Sequence, residues 1–372
     1  MQQIEKIARI RLIRSNKIGP VTFSTLLQRF GTAVDVIAAI PEIMKRSGIN
    51  TKIVSAAEVE DEIAKTERLG GQIFAKGEDG YPEIFMNYLD TPGCITTFGH
   101  PHLLEKDSIA IVGSRNASAN ARTFTEMLAQ QLTSHGYVIT SGLARGIDAA
   151  AHKGALAGGT IAVVAGGVNK IYPKENTRLY EHIKEQGLII SEMPLDTTPT
   201  TRMFPIRNRL ISALSQAVVV AEANAGSGSL ITAKDAADRG VEVMAFPGSP
   251  LDPRASGCNK LIKDGAHLVQ NAEDIVSIVS SFNFRATTNR NLQNNQQKQS
   301  VNLEDQLDTA YQIVYENLSF TPTEVDELIR QCHLSPSVVQ SILLKMELDG
   351  EIARVFGNRV HRLYNSVGIS KK

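Results

Sequence analysis

Ser108-Ile109-Ala110-Ile111-Val112-Gly113-Ser114-Arg115 is a short apolar run closed by a glycine turn that carries an arginine. The same cadence returns downstream. Tyr137–Thr140 leads into Ser141-Gly142-Leu143-Ala144-Arg145-Gly146, Thr160–Ala165 into Gly166-Gly167, and Ala217–Ala221 into Gly226-Ser227-Gly228-Ser229. Leu188–Ser191 and Glu242–Phe246 are further β-branched runs of this kind, and Phe124–His135 and Leu230–Arg239 are amphipathic at helical spacing. Buried runs alternating with helices predict βαβ units and a doubly wound parallel sheet. Such sheets bind ligands at their carboxyl edge, and backbone N–H groups opening a helix favour anions. The glycine turns, with Arg115 and Arg145, therefore predict a phosphate-binding rim.

Composition bounds what that rim serves. The chain has 372 residues, enough for two or three domains, and balances 39 basic against 39 acidic residues. No global field draws it to nucleic acid or membrane, so a polyanion site has to be a local patch. Cys94, Cys258 and Cys332 are scattered and show neither a disulfide framework nor zinc spacing, which fits a reducing compartment. The N-terminus lacks a signal-peptide apolar region, and no apolar run approaches the ~18 residues of a membrane span. A cytoplasmic protein without membrane contact is expected.

Four segments follow from the patterning. Residues 1–70 read as a helical domain of the sterile-alpha-motif or helix-hairpin-helix kind, broken at Gly19-Pro20 and stopped at Gly31. Up to Arg46 it carries Lys6, Arg9, Arg11, Arg14, Lys17, Arg29, Lys45 and Arg46 against Glu5, Asp35 and Glu42. This excess suits either a solvated face or DNA contact. Residues 71–282 form the Rossmann-like α/β domain. Residues 283–305 are rich in Asn and Gln and nearly devoid of large apolar side chains, the composition of a mobile linker. Residues 306–372 read as a winged helix: helices at Ala310–Asn317, Pro322–Gln331 and Ser335–Asp349, then a hairpin around Gly357-Asn358.

The usual chemistry of a phosphate rim is missing. The turn after Val112 has one glycine where a dinucleotide fold has three, and no carboxylate ends the next strand. No P-loop string occurs. Asp148 and His152, four apart, share a helix face, a spacing that fits a cap and a surface contact better than a metal site. Glu222, after a strand, is the best isolated general-base candidate, and its competing role is to accept hydrogen bonds from a neighbouring loop. The string Phe204-Pro205-Ile206-Arg207-Asn208-Arg209 suits single-stranded nucleic acid, with guanidinium groups for phosphate and an aromatic face for a base. Its alternative is a helix start whose arginines pair with sheet-edge carboxylates.

Six strings in this order resemble the DNA-processing protein A family: Gly113-Ser114-Arg115, Ser141 to Asp148, Tyr172-Pro173, Phe204 to Arg209, Ser227 to Ala233, and Gly257 to Ala266. The helical N-terminal segment and the winged helix resemble its longer members by pattern. The resemblance implies a non-enzymatic, cytoplasmic, homodimeric protein without cofactor, dimerising through its Rossmann-like domain. It implies binding of single-stranded DNA, protection of incoming strands, and loading of RecA recombinase during natural transformation and recombination. Carried over by position, the DNA-binding residues would be Gly113, Ser114, Arg115, Gly142, Arg145, Gly146, Phe204, Arg207, Arg209, Gly226, Ser227, Gly228 and Ser229. Gly142, Gly146 and the Gly226–Ser229 turn are expected to offer backbone donors. Charge alone adds Lys170, Lys174 and Arg178.

Two points pull against a simple reading. The winged helix has Arg330, Lys345, Arg354, Arg359, Arg362, Lys371 and Lys372 against eight acids, and Lys345 alone on its groove-reading helix. Groove recognition needs donors there, so protein contact or regulation suits the module at least as well. The rival function is a Rossmann-like nucleotide phosphoribohydrolase. Those enzymes carry Pro-Gly-Gly-x-Gly-Thr where this chain has Gly226-Ser227-Gly228-Ser229.

Overall fold

The computed structural model describes residues 1–47 and 52–281, together with 303–363 apart from 333, 335, 349–350 and 356–357. Most of the Asn/Gln-rich segment and the glycine of the Gly357-Asn358 turn lie outside the described residues. The chain divides into two units, Met1–Asn283 and Phe284–Lys372.

The first unit opens with four helices: α1 (Gln3–Arg14), α2 (Pro20–Phe30), α3 (Ala33–Ser47) and α4 (Ala56–Arg68). Pro20 opens α2, where its fixed φ suits a first helical residue and its missing N–H costs nothing. Leu12, Phe23, Val36 and Ile40 form the small core between these helices. Four of the basic residues counted above face inward or toward the sheet. Lys6 pairs with Glu78 at 2.8 Å and Arg9 with Glu5 at 2.7 Å. Arg11 donates to the Val54 carbonyl at 2.8 Å. Arg14 pairs with Glu62 at 2.8 Å and donates to the Glu192 carbonyl at 2.7 Å. These four act as braces; they are neither a solvated face nor a free DNA surface.

A nine-stranded sheet follows: β1 (Gly71–Ala75), β2 (Cys94–Gly99), β3 (Ser108–Val112), β4 (Val138–Ser141), β5 (Thr160–Val163), β6 (Leu188–Ser191), β7 (Ala217–Val220), β8 (Glu242–Ala245) and β9 (His267–Leu268). Its order is β1-β2-β6-β5-β4-β3-β7-β8-β9. Strands β3 to β9 are parallel, while β1 and β2 form an antiparallel hairpin that joins the edge at β6. The parallel core was expected; the hairpin extension and β9 were not.

Helices cover both faces, as parallel strands buried on both sides require. The helices are α5 (Ala119–Ser134), α6 (Ile147–Ala155), α7 (Thr177–Gln186), α8 (Met203–Leu214), α9 (Ser229–Asp238), α10 (Ser256–Lys263) and α11 (272–281). Ile109 and Ile111 of β3 pack against α5, α6 and α11. Ala110 and Val112 turn to the other face, against α8 and α9. Connections lead from β3 through β4 and β5 to β6 on one side, and through β7 and β8 to β9 on the other. The order therefore reverses between β3 and β7, and the crevice at their carboxyl ends is the place such sheets hold ligands.

The second unit holds α12 (Leu303–Asn317), β10 (Thr323–Glu324), α13 (Val325–Cys332), α14 (Pro336–Leu348), β11 (Ile352–Val355) and β12 (Arg359–Arg362). Its sheet order is β10-β12-β11, antiparallel throughout. This is the expected winged helix, with one change: Thr323 and Glu324 pair with the wing where the start of a helix was expected. Val314, Leu328, Leu343 and Val360 are fully buried in its core.

Candidate nucleic-acid interface

Two clefts of similar size open along the carboxyl edge of the sheet. The first, of about 400 Å³, lies beyond β3, β4 and β5 and gathers Arg115, Arg145, Tyr172, Lys174, Phe204 and Arg207 around the Gly142–Ala144 backbone. Its exposed lip is aromatic and cationic. The Arg115 guanidinium sits over the Phe204 ring at 5.4 Å, and the Tyr172 ring lies 5.5 Å from Phe204 at 48°. Tyr172 is half exposed and is joined to Pro173 by a cis peptide. Arg145 reaches Glu175 at 3.5 Å across the exposed rim. Among the described residues, no ion pair engages Arg115 or Lys174, which leaves both cations available.

The floor of this cleft is built differently. Arg207 is on the inner face of α8 with Leu210, Ile211 and Leu214, and is buried. Its Nη1 donates to the carbonyls of Gly142 and Val163. Burial brings the guanidinium down to about 10, with Asp148 opposing that shift. Asp148, buried at the start of α6, accepts from the N–H of Gly142 at 3.1 Å and of Ala144 at 3.4 Å. Burial pushes its carboxyl upward, and Arg207 opposes.

His152 lies one turn along and is fully buried. Its Nε2 accepts from the Leu143 N–H at 3.3 Å, so the proton is on Nδ1, which donates to Thr160 Oγ1 at 2.7 Å. Thr160 passes its own proton to the Ile139 carbonyl at 2.8 Å. Burial brings the imidazole down to about 3. Asn176 completes the frame by donating to the carbonyls of Leu143 and Ala144 at 2.9 and 3.2 Å. Leu143 is thereby held at φ +56°, a conformation unusual for a branched residue.

Local glycines allow this closeness. A Cβ on Gly142 would overlap the Arg207 guanidinium, and one on Gly146, at φ +78°, would overlap the Ser114 carbonyl. Gly146 therefore lets the turn bearing Arg115 close onto the start of α6, where Ile147 N–H donates to Ser114 O at 3.2 Å.

Of the residues singled out from sequence, the structure brings Arg115, Gly142, Arg145, Lys174, Phe204 and Arg207 into one cleft; Ser114 and Gly146 close the Arg115 turn onto the start of α6, and Gly113 packs against Ile147 and the Glu222 carbonyl. Others are placed elsewhere. Arg209 pairs with Glu192 and donates to the Asp90 carbonyl, the carboxylate-bound arrangement that was its alternative. Lys170 pairs with Asp196 at 3.1 Å. Arg178 is exposed on α7. The turn from Gly226 to Ser229 lies outside the cleft, and the N–H groups of Gly226, Ser227 and Ser229 donate to Asn224 and Ser227. The N–H of Gly142 is likewise engaged inward.

Tyr172, Asn176, Asp148 and His152 complete the site beyond the residues expected. Asp148 and His152 do share a helix face, but both are buried and hold the loop's backbone; neither is a surface contact. Among the described residues no group of acidic, Cys and His side chains is arranged for a metal. Glu222 accepts from Ser118 N–H at 3.0 Å and from Ser118 Oγ at 2.7 Å, the loop-holding role weighed against general base.

Residues 72–280 match the family described as DNA recombination-mediator protein A. Residues 3–64 match a DprA-like N-terminal HHH domain, and 298–358 a DprA winged helix domain. The chain is 36% identical to Protein Smf of Escherichia coli K12 over 308 residues, 81% of this chain and 80% of that one. The X-ray structure of DNA processing protein A from Streptococcus pneumoniae superposes with a TM-score of 0.57 at 33% identity, covering 74% of this chain and 92% of that one. DNA processing protein A of Helicobacter pylori, a structure concerned with that protein's single-stranded DNA binding mode, aligns with a TM-score of 0.53 at 29% identity. This alignment covers 57% of this chain and 96% of that one.

Proposed function

Because the chain belongs to the DNA recombination-mediator protein A family, we propose that it binds single-stranded DNA in the first cleft and acts by holding that strand, without catalysis. One observation carries this reading: Arg115 lies over the Phe204 ring, with Tyr172 beside it, at the mouth of a cleft whose floor is the Arg207 guanidinium. Aromatic faces stack unpaired bases while cations track the backbone. A duplex hides its bases and gains only the charge contacts. The single-stranded DNA binding mode of the Helicobacter pylori relative supports the same ligand.

In this reading the glycine turns act as spacers. The inner N–H groups of Gly142 to Ala144 meet Asp148 and His152, so the strand meets side chains at the lip: Arg115, Arg145, Lys174 and Phe204. Lys170 and Arg209, both ion-paired, and the Gly226–Ser229 turn, whose Gly226 and Ser229 N–H groups are engaged within the loop, are assigned no direct contact with the strand. As for the family it resembles, the protein works in the cytoplasm as a homodimer joined through the α/β domain. It protects incoming strands and loads RecA recombinase during transformation. The commitment of Asp148, His152 and Glu222 to backbone and N-cap groups supports a binding role over a hydrolytic one.

The test is a titration of a labelled single strand and its duplex at several salt concentrations. The single strand is expected to bind tighter, with a log–log salt slope of ~0.7 per neutralised phosphate. Equal affinity for the duplex at matched salt would overturn the reading.

A further inference from the structure

The second cleft, of about 370 Å³, lies beyond β7 and β8, on the other side of the β3 turn. Its character is the reverse of the first. Phe124 and Phe246 form an edge-to-face pair in its wall, with centroids 4.7 Å apart and planes at 76°. None of its lining residues is Lys or Arg. The buried Glu222 is the acceptor in its inner wall. Each of its oxygens accepts once from Ser118, the N-cap of α5, whose Oγ in turn accepts from Ala121 N–H at 3.1 Å. An ionised carboxylate has about four acceptor positions, so two remain for a guest. Asp252 on the rim is taken by Arg254 through a bidentate pair at 3.0 and 2.8 Å. Leu251, 93% exposed, stands on the loop that carries Ser249 and Asp252.

We propose that this cleft is a nucleobase subsite selective for a base that presents two adjacent N–H donors, as guanine does with N1–H and its exocyclic amine. The lining holds two carboxylates, Glu222 and Asp252, and the nearby Arg254 is spent on Asp252, a balance that disfavours phosphate. A slot with aromatic and aliphatic walls favours a flat apolar group, and the size falls within the range of small-molecule sites. Glu222 is held from behind, so it is preorganised to accept a donor pair. Thymine, with one N–H between two carbonyl oxygens, would set those oxygens against the carboxylate. The inference rests on the single-stranded DNA reading for one source of the base, a strand crossing from the first cleft. A free guanine nucleoside offers the same edge.

The full chain is titrated with an all-thymine strand, with the same strand carrying interspersed guanines, and separately with free guanosine. Guanine is expected to tighten strand binding about tenfold, within the range of a good paired contact to a base edge. Glu222→Gln removes one acceptor oxygen, and Ala121→Leu fills the cleft while leaving Glu222 in place. Both are expected to abolish the guanine increment and leave all-thymine affinity unchanged. A wild-type protein with no increment and no guanosine binding overturns the proposal, as does an increment that survives both variants. If no strand binds at all, the single-stranded DNA reading fails by itself. Saturable guanosine binding that Ala121→Leu abolishes would then uphold the cleft as a base site, and its absence would sink it.

Discussion

The two clefts share one sheet edge and nearly one volume, yet they are floored by opposite materials. Beneath the first lie a guanidinium, a carboxylate and an imidazole, all buried and all engaged with the loop backbone. The second has an aromatic pair, small aliphatic and uncharged polar groups around the braced Glu222, with Asp252 on its rim. A buried charge costs several kcal/mol unless it is well partnered, so the first floor is stable only as a set. The second also holds a buried carboxylate, Glu222, but Ser118 alone answers it through two hydrogen bonds. The comparison also separates residues that hold a cleft together from residues that face out of it.

Arg207→Ala should break the first floor outright. It strips acceptors' partners from the Gly142 and Val163 carbonyls and leaves Asp148 buried beside an empty space. A loss of about 3 kcal/mol is expected in urea unfolding. A loss below about 0.5 kcal/mol would place Arg207 with the ligand-facing residues instead.

Acid should act on the same floor. His152 is held neutral in the fold at about 3, against an ordinary value near 6.5, so the unfolded chain binds its proton first. Its contribution is complete above pH ~6.5 and is lost as pH falls toward the folded value, about 2 kcal/mol by pH 5. Asp148, raised by burial, pulls the other way. The measurement is therefore the difference in stability slope between wild type and His152→Gln from pH 7 to 5. Equal slopes would refute the assignment.

Arg115→Ala tests the lip. Single-strand affinity should fall roughly tenfold, about 1.4 kcal/mol, while unfolding stability changes by less than about 0.5 kcal/mol. Reversal of those two effects would mean that lip and floor had been confused. The smallest effect is expected from cutting the chain after Asn283, which removes the second unit. Its wing arginine Arg362 already stacks on Tyr315 at 3.9 Å, and Arg330 pairs with Glu327 at 3.0 Å. Single-strand affinity should change less than about twofold, measured by anisotropy at one salt concentration; a tenfold loss would bring the winged helix into the site.

The parallel core was legible because β3 to β8 are apolar runs bounded by Gly, Pro or Ser, and burial on both faces leaves that mark. The β1–β2 hairpin was not, since Gly71–Ala75 is buried only at alternate residues and draws that burial from α4 and β2, which are distant information for a local pattern. The lip of the site was legible as arginine, aromatic and glycine strings. The floor was misjudged because arginine reads as exposed by default. A signal was present, however: Arg207 stands three, four and seven residues before Leu210, Ile211 and Leu214, on the core stripe of its own helix. His152 gave no such sign, because its partners, the Leu143 N–H and the Thr160 hydroxyl, lie on other segments.

The mutual satisfaction of Asp148, Arg207 and the Gly142–Ala144 backbone has an evolutionary consequence. A lineage that replaces either charged residue first passes through an intermediate with an unanswered buried charge. Single-step drift at these two positions is therefore blocked, while the lip residues around them are free to vary with the ligand. Across relatives, Asp148 and Arg207 should be retained together or replaced together, and an aligned set rich in one without the other would show that some other group has taken over the vacant role.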